Sequence, residues 1–378
     1  MNNTLNSLTI LQHNVQGWNS KRFQLCNTYR EINPDIILLN ETNTLSLRLF
    51  GYSTYTSIKM KNPTQTVGYG TAILVRNNVV HTVIDDFETD LLAIKIHTTD
   101  GPMIVATDYI SPSTGFIHYP DYLKLFLPGI PVYLLGDLNA RHPSLNSRMN
   151  TTNSNGRQLV NLIDRKNLKV LGPTFPTRTD HRSSSILDIV LANEHTFYNY
   201  HISPGPHTSS DHIPVILKIS SNIIWIPIKK RKQYTKADWD SYENHLAELP
   251  LLDANNLTVT QLDTLITQWN NQVTGAIDQY IPNITHRTIP GVKPNNTILD
   301  ARLQINFMLS IIQTYGASTQ AYRTINQQRR RISEEYRALQ TVKWDEIVSK
   351  LQNEKDPKKF FTGIKRYMGY NKTQNSNT

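Results

Sequence analysis

Cysteine is almost missing: Cys26 stands alone in 378 residues. That excludes a disulfide framework and a cysteine-built zinc site, and it fits a reducing compartment. No apolar run approaches the roughly eighteen residues that a membrane-spanning helix requires. The opening MNNTLNSLTI also lacks the basic-then-apolar form of a secretory signal. The chain is therefore expected to be soluble and intracellular, with no membrane partner. Charged residues make up only 18% against 38% hydrophobic, a balance that allows a packed core and excludes wholesale disorder. A chain of this length is expected to hold about two domains.

What charge there is lies unevenly. The net charge is +9, but residues 1–222 carry 18 basic and 16 acidic side chains, and the remainder carries 21 and 14. A polyanion is thus attracted mainly by the C-terminal part. Residues 1–222 read as one domain rich in strands: LTILQHNV, PDIILLNET, YGTAILVRNNVV, LLAIKIHT, GPMIVATDYI, PVYLLGDLNA, SILDIVLAN and HIPVILKI. GRQLVNLIDRKNLKVL sets Leu159, Leu162 and Ile163 at helical spacing before a strand-like end. Strands with interspersed helices, many ending in polar residues, imply a layered α/β sandwich with a site along one sheet edge.

Residues 223–236 read as a basic linker, in which KKRK at 229–232 serves as a nuclear import signal or as a solvated spacer. On the first of these readings the protein is nuclear. Residues 237–378 read as helical. Asp238 caps a helix ending near Leu249, and the stretch from Leu257 to Tyr280 sets Leu262, Leu265, Ile266, Trp269, Val273 and Ile277 on one face. After a Pro-rich break, one long helical stretch is expected from Ile298 to about Leu351, with the basic run QQRRR inside it.

Several strands end in groups that can do chemistry. They are Asn14 in LQHNVQG, Glu41 in ILLNET, Tyr109 in VATDY, Asp137 and Asn139 in LLGDLNA, and Asp211 with His212 in SSDHIPV. Asp188 in ILDIVLA puts a carboxylate between apolar neighbours. One acid at a strand end is normally a turn or a helix cap. So many along one sheet edge instead suit hydrolysis of a phosphate ester. A hard cation such as Mg²⁺ takes oxygen ligands, and Glu41 is the first choice among these. Asp137 is suited to hold and deprotonate a water, while Asn14 and Asn139 can bind a phosphate oxygen without adding negative charge. Asp188 paired with His212 would fix the imidazole tautomer, raise its pKa and let it donate to the phosphate. Arg141, just after GDLNA, is a candidate phosphate contact. His13 alternates to the opposite sheet face, and a structural role is expected for it.

Taken in order, NV at Asn14, NET at Glu41, YISP at Tyr109, GDLNA at Asp137, LDIV at Asp188 and SDH at Ser210 resemble the motif series of the endonuclease/exonuclease/phosphatase superfamily. That superfamily includes DNase I and the AP endonucleases. GDLNARHPSLNS, NGRQLVNLI, PTFPTRT and SSSILDIVLAN further resemble the endonuclease of non-LTR retrotransposons of the jockey and I type. The resemblance covers about residues 8–219. It implies a four-layer, DNase I-like α/β sandwich and Mg²⁺-dependent cleavage of a DNA strand, with Mn²⁺ as a substitute. It also implies Glu41, Asn14 and Asp211 on the metal side, and Asp137 and Asn139 orienting water and phosphate. Tyr109 would contact the phosphate, Asp188 and His212 would form the acid–histidine pair, and Ser210 and Thr177 would support the phosphate side. The nick would leave a 3′-hydroxyl that primes reverse transcription. Gln16 departs from the repair branch, which carries an acid there; this argues against a dedicated repair enzyme and fits the retroelement branch.

Residues 237–378 resemble the helical connector that precedes the reverse transcriptase in such elements, by Trp239, the arginines at 329–331, Trp344 and KKFFTGIKRYMG. This basic tail makes element RNA a further expected partner. No YxDD-type polymerase motif occurs in the chain, which is expected to be a piece or a truncated copy stopping before the polymerase. Two rival readings stand beside the endonuclease. One is an inactive copy acting as a nucleic-acid-binding module; the other is a lipid or inositol phosphodiesterase or phosphatase of the same fold.

Overall fold

The computed structural model describes residues 7–57, 69–112, 117–127, 129–146, 150–221, 223–224, 232–249, 258–283, 292–316, 318–352 and 361. Most of the expected linker, including 229–231 of KKRK, lies outside the described residues, as does KKFFTGIKRYMG apart from Phe361.

The chain begins with β1 (Ser7–Asn14), α1 (Arg22–Ile32), β2 (Ile36–Asn40), β3 (Tyr52–Ser57), β4 (Thr71–Arg76), β5 (His81–Ile84), β6 (Leu92–Thr98) and β7 (Gly101–Thr107). It continues through α2 (Tyr119–Leu125), β8 (Val132–Asp137), α3 (Ser154–Lys166), β9 (Lys169–Gly172), the short β10 (Arg178–Thr179) and β11 (Ser184–Ser185), and β12 (Asp188–Ala192). β13 (Tyr200–Pro204) and β14 (Val215–Ser220) follow, then α4 (Trp239–Ala247), α5 (Val259–Tyr280), α6 (Asn296–Tyr315) and α7 (Thr319–Gln352).

Two six-stranded sheets run β13-β14-β1-β2-β4-β3 and β5-β6-β7-β8-β12-β9. Both are mixed, because β1 pairs with β2 in parallel, as β7 does with β8, while the other ladders are antiparallel. Every residue of β2 and β8 is buried, which is why these strands read as continuous apolar runs rather than as alternating patterns. Between the sheets, Leu8, Ile10, Ile36 and Leu38 meet Ile94, Val105, Leu135 and Val190. Each such side chain contributes about 2 kcal/mol relative to exposure. On the outer face of the first sheet, Leu25 and Tyr29 of α1 cover Leu11, Ile37 and Leu39. On the outer face of the second, Tyr122 and Leu125 of α2 with Leu159 and Leu162 of α3 cover Leu134, Ile189 and Leu191. Helix, sheet, sheet and helix make the four layers of a DNase I-like sandwich.

Contacts divide the chain into one unit of Met1–Ile226 with Pro290–Thr378 and a second of Pro227–Ile289. Helices α6 and α7 therefore belong to the body that holds the sheets, although the sequence sets them in a separate region, 237–378. The physical reason is a shared core: Ile298, Ala301 and Ile305 of α6 meet Tyr322, Ile325, Ile332 and Tyr336 of α7, with Phe23 of α1 against them. The long helix expected from Ile298 to about Leu351 is two helices, broken at Gly316, whose φ of 90° a residue with a side chain rarely adopts. In the second unit, Asp238 caps α4 by accepting from the Ser241 N–H, as expected, and Thr258 with Gln261 forms a capping box for α5. No described helix is long and apolar enough to cross a membrane.

Candidate active site

The strand ends that carry chemistry share one edge. β1 delivers Asn14 and its parallel neighbour β2 delivers Glu41 one residue past its end. β8 ends on Asp137, which is paired in register with Asp188 at the start of β12 and bridged to Tyr109 beyond β7. Two glycines permit this approach. A Cβ on Gly136 would lie 2.1 Å from the Asp108 carbonyl oxygen, and one on Gly156 would lie 1.9 Å from that of Arg141. The second close approach seats the start of α3 against the GDLNA loop, where the amides of Asn153 and Asn155 donate to the Asn139 carbonyl at 2.7 and 3.4 Å. Gln16, Glu41 and Asn139 sit in the left-handed region at φ of 48, 51 and 45°. Such backbone costs on the order of 1 kcal/mol per residue and persists where its surroundings over-determine it.

The side chains then interlock. Asn14 Nδ2 donates to Glu41 Oε1 and to Asp137 Oδ2, both at 2.8 Å. His212 Nδ1 lies 2.7 Å from Asp188 Oδ2, and its Nε2 lies 3.7 Å from Asp137 Oδ2. Asp188 also accepts from Gln12 Nε2 at 2.8 Å. Asn40 Oδ1 takes the Asp137 amide at 3.2 Å and the other Gln12 contact at 2.9 Å. Asp211 Oδ2 accepts from Arg178 Nε at 3.0 Å, and the Asp211 N–H donates to Gln16 Oε1 at 3.2 Å.

Burial and neighbouring charge set the protonation states. Burial opposes charge on His212, but Asp188 and Asp137 outweigh it and push its pKa up to about 9, so the imidazole is a cation at neutral pH. Burial would raise Asp188, yet the charge and hydrogen bond of His212 hold it below the usual carboxylate range. Asp137 is pushed up to about 7, by burial first and by Asp188 and Glu41 after it, against the pull of His212 and Asn14. Burial, then Glu41 and Asp137, raise the Tyr109 hydroxyl well above its ordinary range and keep it protonated. Lys21 lies near Asp211 and Glu41, and burial lowers its pKa from the ordinary lysine value.

The structure thus brings Asn14, Glu41, Tyr109, Asp137, Asn139, Asp188, Ser210, Asp211 and His212 to one edge. Thr177 is close but faces inward, its buried hydroxyl accepting from the Leu187 and Asp188 amides at 3.0 and 3.1 Å, which supports Asp188 rather than an open phosphate side. Ser210 Oγ donates to the Asn14 carbonyl at 2.8 Å and so ties its loop to β1. Arg141 has its main chain fixed beside the GDLNA loop by Asn153 Oδ1 at 2.9 Å. His13 points away, buried against the Tyr29 hydroxyl at 2.9 Å. Gln12, Asn40, Lys21 and Arg178 escaped the sequence analysis. None of them carries a local signal: Gln12, for one, is a polar residue among the polar residues that close β1.

Among the described residues, Asp137, Asp188 and His212 form a buried cluster that could hold a metal ion. Its imidazole, however, is bonded through Nδ1 to Asp188 Oδ2 at 2.7 Å, which favours an acid–histidine pair there. The remaining oxygen donors are Glu41 and Asp211, the latter with its Oδ1 3.7 Å from His212 Nε2. Asp211 Oδ1 is buried without a hydrogen-bond partner, and the carboxylates of Asp188 and Glu41 stand close enough to Asp137 to add to the effect of burial on its pKa. Those features fit a hard cation. Asn14, expected on the metal side, presents its amide nitrogen to both carboxylates.

A family model for the Endonuclease/Exonuclease/phosphatase family matches residues 11–212, over half of the chain, and the chain belongs to that family. It is 27% identical over 262 residues to a probable RNA-directed DNA polymerase from transposon X-element of Drosophila melanogaster, covering 66% of this chain and 28% of that protein. It is 25% identical over 227 residues to the RNA-directed DNA polymerase from mobile element jockey of Drosophila funebris, covering 57% of this chain and 24% of that protein. The chain thus spans about a quarter of the length of these relatives. The solved endonuclease domain of TRAS1, a telomere-specific non-LTR retrotransposon, superposes with a TM-score of 0.47 at 18% identity, over 57% of this chain and 98% of that one.

Proposed function

We propose that this protein is a metal-dependent endonuclease that nicks DNA by phosphodiester hydrolysis, the nick serving to prime reverse transcription of a non-LTR element. One observation carries the reading: Glu41 and Asp137 share the Asn14 amide at 2.8 Å, and a histidinium paired with Asp188 faces Asp137 across 3.7 Å. An acid for a cation, a base and a charged donor thus meet at one edge of a family fold that points to a hydrolase. Asp137, held near neutrality, takes a proton from the attacking water. His212, kept in one orientation by Asp188, donates from Nε2 to a phosphate oxygen as negative charge grows there. Asn139 and Tyr109 position water and phosphate, and Arg141 contacts the strand. Glu41 and Asp211 would hold Mg²⁺ or Mn²⁺, which when bound neutralises charge on the phosphate oxygens. Exposed Arg323, Arg330, Arg331 and Arg337 on α7 give element RNA or the DNA backbone a basic face, and a nuclear location follows from the target.

Conversion of supercoiled plasmid to open circles tests this, with the native chain compared to Asp137→Ala and His212→Ala, before and after chelation. The native chain should nick with Mg²⁺, stop on chelation and recover with Mg²⁺ or Mn²⁺, and each variant should lose about a thousandfold. Equal nicking by all three rejects the mechanism. A native chain that leaves plasmid intact but frees phosphate from inositol lipids is a phosphatase, and one that only binds DNA is a binding module.

A further inference from the structure

The loop between β13 and β14 carries Ser210, Asp211 and His212. Its regular pairing among the described residues is the single bridge of His212 with Arg178, so other groups must hold it. From the sandwich come the Thr179 N–H on the Asp211 carbonyl at 2.9 Å and the Ile213 N–H on Thr177 at 2.7 Å. The sandwich also supplies the Asn14 carbonyl to Ser210 Oγ at 2.8 Å and Gln16 Oε1 to the Asp211 N–H at 3.2 Å, and the C-terminal helices add to these. Arg329 of α7 donates from Nη2 to the Asp211 carbonyl at 3.1 Å and from Nη1 to the Thr179 carbonyl. Arg302 of α6 donates from Nε to the His207 carbonyl at 3.2 Å, and Asn306 Oδ1 meets the His207 ring at 2.7 Å.

The placement of Arg329 is unusual in physical terms. It is only 4% exposed, and a buried guanidinium loses its hydration unless its donors are met. Here Nη2 reaches the Asp211 carbonyl and Nη1 that of Thr179 on the adjoining β10, while the buried Nε makes no hydrogen bond; spanning two carbonyls is a task suited to a rigid planar fork and not to a point charge. Arg178 holds the same acid by its side chain, so Asp211 is gripped from both sides.

We infer that Arg329 is a positioning residue for the hydrolysis proposed above: it fixes the main chain at Asp211 so that the Asp211 carboxylate and the His212 imidazole enter the site in working geometry. Helices α6 and α7 are then a part of the nuclease and not an arm appended to it. The inference rests on the endonuclease reading. Being buried, Arg329 acts without touching DNA.

The test uses the full chain and Arg329→Lys, which keeps the charge and loses the fork. With cooperative unfolding retained, kcat for plasmid nicking should fall by about ten- to a hundredfold while KM for DNA stays within about twofold. Amides of 208–213 should exchange about tenfold faster, with those of β2 unchanged. A folded variant with native kcat overturns the inference, as does a loss confined to KM. Should Arg329→Lys not fold, Arg329→Gln, whose amide can still donate to one of the two carbonyls, should lower kcat about tenfold with KM unchanged; native kcat in that folded variant overturns it equally. A native chain that never nicks plasmid removes the endonuclease reading itself, an outcome distinct from active native and variant chains of equal kcat.

Discussion

Helices α5 and α6 are of similar length, both carry apolar residues, and they meet different fates. In α6, Ile298, Ala301 and Ile305 are fully buried, whereas among the described residues of α5 only Ala276 is buried, and Trp269 and Ile266 stay 38% and 42% exposed. Both helices are well capped, so local signals do not separate them. What separates them is a partner: α6 meets α7 and Phe23 in a closed cluster. An amphipathic face sets what a helix can bury, and the neighbouring surface settles what it does bury. The unit that holds the site thus closes a core around α6 and α7, while among the described residues of Pro227–Ile289 only Ala276 and Ile281 are buried apolar side chains.

The largest way to sharpen that contrast is at the site. Asp188→Asn, almost isosteric, should cut nicking by about a thousandfold because the imidazole loses the charge that holds it protonated and oriented, whereas Trp269→Ala in α5 should leave the nicking rate within about twofold. Next in size is packing. Ile325→Ala, in the α6–α7 cluster, should cost about 2–5 kcal/mol in urea unfolding.

Acid should loosen the same seam. Burial first, then the charges of Arg329 and Arg302, push the His207 pKa down to about 4 from the ordinary 6.5. The folded state therefore binds fewer protons than the unfolded chain between those values. This stability is fully present above pH 6.5 and is lost as pH falls toward 4, at up to about 1.4 kcal/mol per pH unit. Urea midpoints from pH 7.5 to 4.5 check it, and His207→Gln should flatten the slope. The smallest effect belongs to Ile266→Ala in α5, expected to cost under about 1 kcal/mol; a value near that of Ile325→Ala would break the comparison.

Much of the candidate site was legible because its residues stand where an apolar strand stops. Asn14, Glu41 and Asp137 each end a buried run, and the contrast of polarity marks both the strand and the edge. Gln12 was illegible for the opposite reason. It lies within β1, where a polar residue ordinarily faces water, yet it is buried and holds Asp188, 176 residues away in sequence. Strands β3, β5 and β13 are mostly half-buried or exposed and give weak alternation, so they were not foreseen. Gly316 shows in the sequence as one glycine in a helical stretch, and whether it breaks the helix depends on the packing of the two halves.

Residue order alone was enough for the sheet-rich region, its chemical strand ends and the Asp238 cap of α4, since hydrophobic period and capping chemistry act over a few residues. The union of α6 and α7 with the sandwich, the grip of Arg329 on Asp211 and the lowered pKa of His207 come from groups that meet only after folding. Burial and charge act through space, over distances that no local pattern along the chain records.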